Sequence, residues 1–232
     1  MNQPIIRVEG LEKIYEDNGV PVQALRTIDT GFERGEFTVI AGPSGSGKTT
    51  LLNLLGALDA PSAGMVLFEG TPLSELNKAQ LAALRLKHFG FIFQAYNLIP
   101  VFSALENIEF VLTLQRIPDR ERHRRSLEVM KELGIDALAH KRPNQMSGGQ
   151  QQRVAVGRAI VTNPTIILAD EPTANLDSAT GAALLDLMTH MNLEHGITFL
   201  FSSHDPQVIE RGRRVIRLHD GRIERDELRP AA

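Results

Sequence analysis

The chain has 232 residues, 42% of them hydrophobic, with a formal net charge of -3 and no cysteine. That length suffices for one large α/β domain with an inserted subdomain. The missing cysteines exclude disulfides, thiolate metal sites and thiol nucleophiles, and the near-balanced charge speaks against nucleic acid as the main partner.

Val8 to Tyr15 reads as a strand, and Phe37 to Ala41 as a short apolar strand followed at once by a glycine-rich turn. Thr49 to Leu58 supplies the next helix, apolar on more than one side through Leu51, Leu52, Leu54 and Leu55, and Pro61 and Gly64 close the unit. Glu75 to Leu86 reads as a helix, Phe89 to Phe93 as a strand, and Ser103 to Gln115 and Arg120 to Leu133 as two helices of a helical subdomain. The Arg120 to Arg125 run is interleaved with Glu121 and reads as a solvated helix face rather than a nucleic-acid patch. A further helix from about Gly149 to Val161 precedes the apolar strand Thr165 to Ala169, which ends in Asp170 and Glu171. Ala179 to Leu193 predicts a helix and Thr198 to Ser202 a buried strand. Val215 to Leu218 and Arg222 to Glu224 flank Asp220-Gly221, a dipeptide that favours a tight hairpin. No run approaches the roughly 18 to 20 apolar residues of a membrane-spanning helix, and Met1 to Glu9 lacks the apolar core of a signal peptide.

Gly42-Pro43-Ser44-Gly45-Ser46-Gly47-Lys48-Thr49 has two glycines at the required spacing before Lys and Thr, between a strand and a helix. Such a loop turns successive backbone N–H groups toward phosphates, and the helix behind it directs its positive end at the same charge. Lys48 is expected to bridge the β- and γ-phosphates and Thr49 to ligate Mg²⁺, with Thr50 beside them among the nucleotide-binding residues. Asp170 would hold Mg²⁺ through water, and Glu171 would orient and polarise the water that attacks the γ-phosphate. Met146-Ser147-Gly148-Gly149-Gln150 opens a helix with a second anion-binding tip, more than one nucleotide needs.

This last segment resembles the Leu-Ser-Gly-Gly-Gln signature of ATP-binding-cassette ATPases, with Met146 in place of leucine, a swap that keeps an apolar side chain of similar volume. The resemblance spans nearly the whole chain. It implies an α/β fold with a P-loop, RecA-like core, an N-terminal antiparallel β subdomain and an inserted α-helical subdomain. The expected division is 1–94 and 162–232 for the core with its β subdomain, and 95–161 for the helical subdomain. It also implies that Tyr15 stacks on adenine, that Gln94 touches Mg²⁺ and the attacking water, that Asp177 sits in a loop crossing a dimer interface, and that His204 contacts the γ-phosphate. Each ATP would be clasped between the phosphate loop of one copy and Ser147, Gly148, Gly149 and Gln150 of a second. ATP and Mg²⁺ are thus the expected cofactors, and a second copy and an integral membrane permease-type subunit the expected partners.

Tyr96 to Phe102 resembles the region that receives a coupling helix from the membrane subunit, which would place the protein on the cytoplasmic face of the membrane. Together with Leu105, Glu106 and Asn107 it is similar to the subgroup of lipoprotein-releasing, macrolide-exporting and cell-division ATPases. Gly157, where many relatives carry Ala, and Ser203, where Thr is common, depart from the pattern without removing a catalytic group. The competing expectation is a soluble cassette ATPase acting on nucleic acid or ribosomes, which would need a duplicated cassette, coiled-coil insertion or zinc modules. A P-loop kinase or GTPase and an inactive binding module fit less well, given the signature segment and the presence of Lys48, Gln94, Asp170, Glu171 and His204.

Overall fold

A computed structural model describes residues 3–17 and 19–229, with backbone alone at Asp17. It begins with two long strands, β1 (Ile6–Asp17) and β2 (Val20–Phe32), paired antiparallel with Tyr15 opposite Val22. The core strand β3 (Phe37–Ala41) leads into helix α1 (Lys48–Leu55), after which β4 (Ala63–Phe68) and the short β5 (Thr71–Pro72) return to the first pair. There follow α2 (Lys78–His88), β6 (Phe89–Ile92), α3 (Ala104–Leu114), α4 (Asp119–Glu132) and α5 (Gly148–Ile160). The chain closes with β7 (Ile166–Asp170), α6 (Ser178–His195), β8 (Thr198–Ser203), α7 (Pro206–Arg211), β9 (Arg214–His219) and β10 (Arg222–Leu228).

Two sheets result, a four-stranded antiparallel one in the order β2-β1-β4-β5 and a six-stranded one in the order β10-β9-β3-β8-β7-β6. The second is parallel from β9 to β6, and β10 folds back antiparallel on β9. Strand alternation sends its side chains into two cores. Phe37, Val39, Ile167, Phe199 and Phe201 join one with α3, α5 and α6, while Ile40, Ile166, Leu168 and Leu200 join the other with the leucines of α1 and the first sheet. Leu51, Leu52, Leu54 and Leu55 are all buried, each contributing about 1.5–3 kcal/mol relative to exposure.

The predicted elements recur within a few residues, with four differences. Residues 20–32 form β2 although the first half of that strand is exposed and its apolar alternation weak; pairing with β1 carries it. Ala63–Phe68 is a strand that runs through Gly64, whose added Cβ would lie 2.1 Å from the Gly10 carbonyl oxygen, so glycine there permits close approach. The helix expected from Glu75 starts at Lys78, because Asn77 caps it in a reciprocal box with Gln80. Helix α7 was not foreseen; Asp205 caps it and Pro206 opens it.

The Asp220-Gly221 hairpin is present, with positive φ at both residues as a type I′ turn demands. On α4, Arg124 bonds Glu121 and Glu128, and Arg125 bonds Glu121, whose carboxyl is lowered to about 2 by those two guanidinium groups. The basic run is a self-paired helix face.

Candidate functional site

The carboxyl ends of β3, β6, β7 and β8 deliver their side chains to one edge of the parallel sheet, where open α/β sheets hold ligands. A cleft of about 520 Å³ opens there, lined by Tyr15, Val22, Gln23, Ala24, Pro43, Ser44, Gly45, Gly47, Lys48, Thr49, Thr50, Gln94, Glu171 and His204.

Gly47 heads α1 at φ 101°, a left-handed conformation that a side chain would strain, and a Cβ there would meet the Ala24 carbonyl oxygen at 2.6 Å. Having no side chain, Gly47 leaves the first-turn N–H groups uncapped. The buried Ser46 hydroxyl has no hydrogen-bond partner. Open N–H groups and an orphaned hydroxyl beside a lysine are the donor set an oxyanion takes. The Lys48 ammonium, 7% exposed, donates to the Gly42 and Pro43 carbonyl oxygens at 2.9 and 3.0 Å and lies 3.9 Å from the Glu171 carboxylate.

The Thr49 hydroxyl donates to Asp170 at 3.0 Å, and the same carboxylate oxygen accepts a bond from Ser202. Thr49 and Asp170, with Gln94 lining the same cleft, offer only hard donors, which suits Mg²⁺. Among the described residues no three His, Asp or Glu side chains cluster as a metal cage, and a cation completed by phosphate and water needs none.

Glu171 sits at φ 45°, unusual for a residue with a side chain, and its N–H is held by the Ser202 carbonyl oxygen at 3.0 Å. Its carboxylate accepts from Ser203 at 3.2 Å and meets His204 Nδ1 at 2.8 Å. Ser202 and Ser203 escaped sequence reasoning as functional groups; two hydroxyls ending an otherwise apolar strand were the available signal.

Ser147, Gly148, Gly149, Gln150 and Asp177 are elsewhere. They line a separate cleft of about 580 Å³ with Arg153, Asn175 and Thr180, and the two clefts share no lining residue. Ser147 caps α5, accepting the Gln150 N–H at a long 3.4 Å while Gln150 accepts the Ser147 N–H at 3.0 Å. A Cβ on Gly149 would fall 2.5 Å from Thr180 Cγ2, so only glycine lets α5 approach α6 this closely. Asp177 caps α6 through the Ala179 and Thr180 N–H groups and the Thr180 hydroxyl. Those bonds, led by the hydroxyl, hold its carboxyl below the usual aspartate range.

Three contacts that the sequence did not reveal tie these segments together, the first of them linking a lining residue of each cleft. Asn175 donates to the Gln94 carbonyl oxygen at 2.8 Å, buried Gln152 of α5 donates to the Pro172 carbonyl oxygen at 2.8 Å, and Arg158 of α5 donates to the Tyr96 carbonyl oxygen at 2.8 Å. Burial lowers the Arg158 guanidinium. Gly157 of the same helix has Ile108 and Leu133 so close that a Cβ would touch them at 2.8 and 3.0 Å, which accounts for a glycine inside the helix. A third hollow, of about 620 Å³, is apolar, lined by Phe89, Phe91, Phe93, Ile99, Phe110 and Leu114 with Arg85 and Arg158. Of the Tyr96 to Phe102 stretch, Ile99 lines this hollow, Leu98 packs on the core and Val101 is exposed.

A family model described as ABC transporter matches residues 25–174. An ABC transporter ATP-binding protein of Thermotoga maritima is 46% identical over 217 residues, 94% of this chain and 92% of that protein. The lipoprotein-releasing system ATP-binding protein LolD of Chromohalobacter salexigens is 40% identical over 97% of this chain and 95% of its own length. The macrolide export ATP-binding/permease protein MacB 2 of Aeromonas hydrophila is 42% identical over the whole chain, which covers 36% of that longer protein. Among solved structures, the dimeric cassette MJ0796 of Methanocaldococcus jannaschii superimposes with a TM-score of 0.91 at 41% identity, covering 98% of this chain and 100% of that one. A dimeric post-hydrolysis state of the same cassette, bound to ADP and Pi, also gives a TM-score of 0.91.

Proposed function

This chain belongs to the ABC transporter family as an ATP-hydrolysing, ATP-binding subunit, and from that membership we propose how its residues divide the reaction between two copies. Lys48 exchanges its two carbonyl partners for the β- and γ-phosphate oxygens, while the uncapped first turn of α1 takes the remaining phosphate charge. Thr49, Asp170 and Gln94 hold Mg²⁺, which when bound neutralises charge on the phosphates. Glu171, positioned by Ser203 and His204, orients the attacking water and accepts its proton, and His204 reaches the γ-phosphate from the exposed side. Tyr15 stacks on the adenine ring. Ser147, Gly148, Gly149 and Gln150 close over the triphosphate held by the other copy, with Asp177 at the seam.

The observation that carries this reading is that the two clefts within one chain share no lining residue. A single copy thus holds two complementary halves of a site. Hydrolysis is expected to rise more steeply than linearly with protein concentration below saturation of the dimer; strict proportionality from a proven monomer would overturn the reading.

The work of the dimer is delivered to an integral membrane partner. Support comes from the relatives named for lipoprotein release and for export with a permease, and from the apolar hollow beside Gln94, which suits a helix of apolar character. That partner holds the dimer on the cytoplasmic face of the membrane; no described helix is long and apolar enough to cross one. The core then comprises 1–94 and 162–232, and the helical subdomain 95–161 moves Ser147 relative to Lys48 through the loop after Gln94.

A further inference from the structure

Tyr15 lies near the end of β1, past Glu12, the last residue paired with β4, and far in sequence from the loop after α1, yet it is tied to that loop by a small polar cluster. Its hydroxyl donates to Asp59 Oδ2 at 2.9 Å. The other carboxylate oxygen of Asp59 accepts from the Lys13 ammonium at 2.8 Å and from the Ala60 N–H at 2.7 Å. Lys13 also donates to the Ala60 carbonyl oxygen at 2.8 Å, and its ammonium stands over the Tyr15 ring, 4.8 Å from the centroid. The Lys13 side chain is only 12% exposed, although it lies on a surface strand.

The consequences are geometric. A tyrosine at 37% exposure would ordinarily sample several rotamers, and a base stacking on it would have to stop that motion at an entropic cost. Here one edge of the ring is fixed through Asp59 and one face is covered by Lys13, which leaves a single face for the cleft that Tyr15 lines with Lys48, Thr49 and Thr50. Burial outweighs all other influences in raising the Tyr15 hydroxyl, so it remains a neutral donor to Asp59. Burial acts to raise Asp59 as well, but the Lys13 ammonium and the bonds from Ala60 and Tyr15 overcome it and hold the carboxyl below its usual range.

We infer that Lys13 and Asp59 are positioning residues for the nucleotide base, clamping the Tyr15 ring in the plane on which the purine of ATP stacks. The inference rests on the reading of Tyr15 as the stacking residue. It assigns no selectivity between purines, because stacking engages the face of a base and not its hydrogen-bonding edge.

The test compares binding of MgATP with binding of magnesium tripolyphosphate, which has the phosphates and no base, by competition against a fluorescent ATP analogue. Tyr15→Phe keeps the ring and removes the bond to Asp59, Asp59→Asn removes the charge that gathers the cluster, and Tyr15→Ala removes the ring. Tyr15→Phe and Asp59→Asn are each expected to weaken ATP binding about 3- to 10-fold, with tripolyphosphate binding unchanged. Tyr15→Ala is expected to weaken ATP binding about tenfold or more. If Tyr15→Ala shows that loss while the other two variants bind ATP as the parent does, the clamp is refuted and stacking stands. Should Tyr15→Ala itself bind ATP normally, the stacking role falls and the clamp with it. Equal weakening of ATP and tripolyphosphate in Asp59→Asn would instead mean a disturbed phosphate loop, and would also overturn the inference.

Discussion

At the head of α1, Gly47 has no side chain to give to the first-turn N–H groups, whereas at the head of α5 Ser147 and Gln150 close a box on their own turn. The cleft before α1 gathers side chains from α1 and from the ends of β7 and β8: Lys48 beside Glu171, Thr49 on Asp170, and Ser203 and His204 on Glu171. In the cleft before α5 the polar groups bond locally, Ser147 to Gln150 and Asp177 to Thr180. The first suits chemistry, since its charged groups meet from separate elements. The second is a self-satisfied helix tip whose weakest bond, the 3.4 Å cap, is the one a phosphate oxygen would replace. That contrast is what a site shared between two copies requires of each half.

The contrast is broken most directly at its chemical end. Glu171→Gln is expected to lower turnover by about 10²- to 10⁴-fold while ATP binding persists and the dimer accumulates, as read by single-turnover assay and size-exclusion chromatography. Unchanged turnover would remove Glu171 from its role.

Division between copies is tested next. Lys48→Ala and Ser147→Arg are each expected to be nearly inactive alone, yet an equimolar mixture should recover up to about one quarter of the parental rate, because half the dimers are mixed and each holds one intact composite site. A mixture as inactive as its components would contradict the sharing.

The smallest effect concerns the helix-tip side. The Asp177 carboxyl is depressed below its ordinary 3.8, so its cap is present in full above that value and is lost as pH falls through the lower, folded-state value. Parent and Asp177→Asn are accordingly expected to differ in stability at neutral pH and to converge as acid is added, measured by denaturant unfolding at a series of pH values. A constant difference down to pH 2 would show that the carboxylate cap contributes nothing.

Much of the phosphate-loop cleft was legible because its residues announce themselves by local pattern: glycines before Lys48, acids at the end of β7, His204 after β8. The hydroxyls of Ser202 and Ser203 were not legible as partners of Asp170 and Glu171, since only the parallel pairing of β7 with β8 sets Asp170 opposite Ser202. The same holds for Asp59, which meets Lys13 and Tyr15 across more than forty residues of chain. Strand β2 was missed for a related reason: half its side chains face solvent, so apolar periodicity is faint, and its stability comes from β1.

By itself the amino-acid sequence determined most of the elements, where the phosphate-binding turn lies and that a second helix tip exists, because these depend on short-range periodicity, capping and turn chemistry. Only the tertiary structure decided which tip faces which acids. Strand order and helix packing are set by burial of apolar faces distant in sequence, and they set the phosphate loop and the Ser147 tip in separate clefts of one chain.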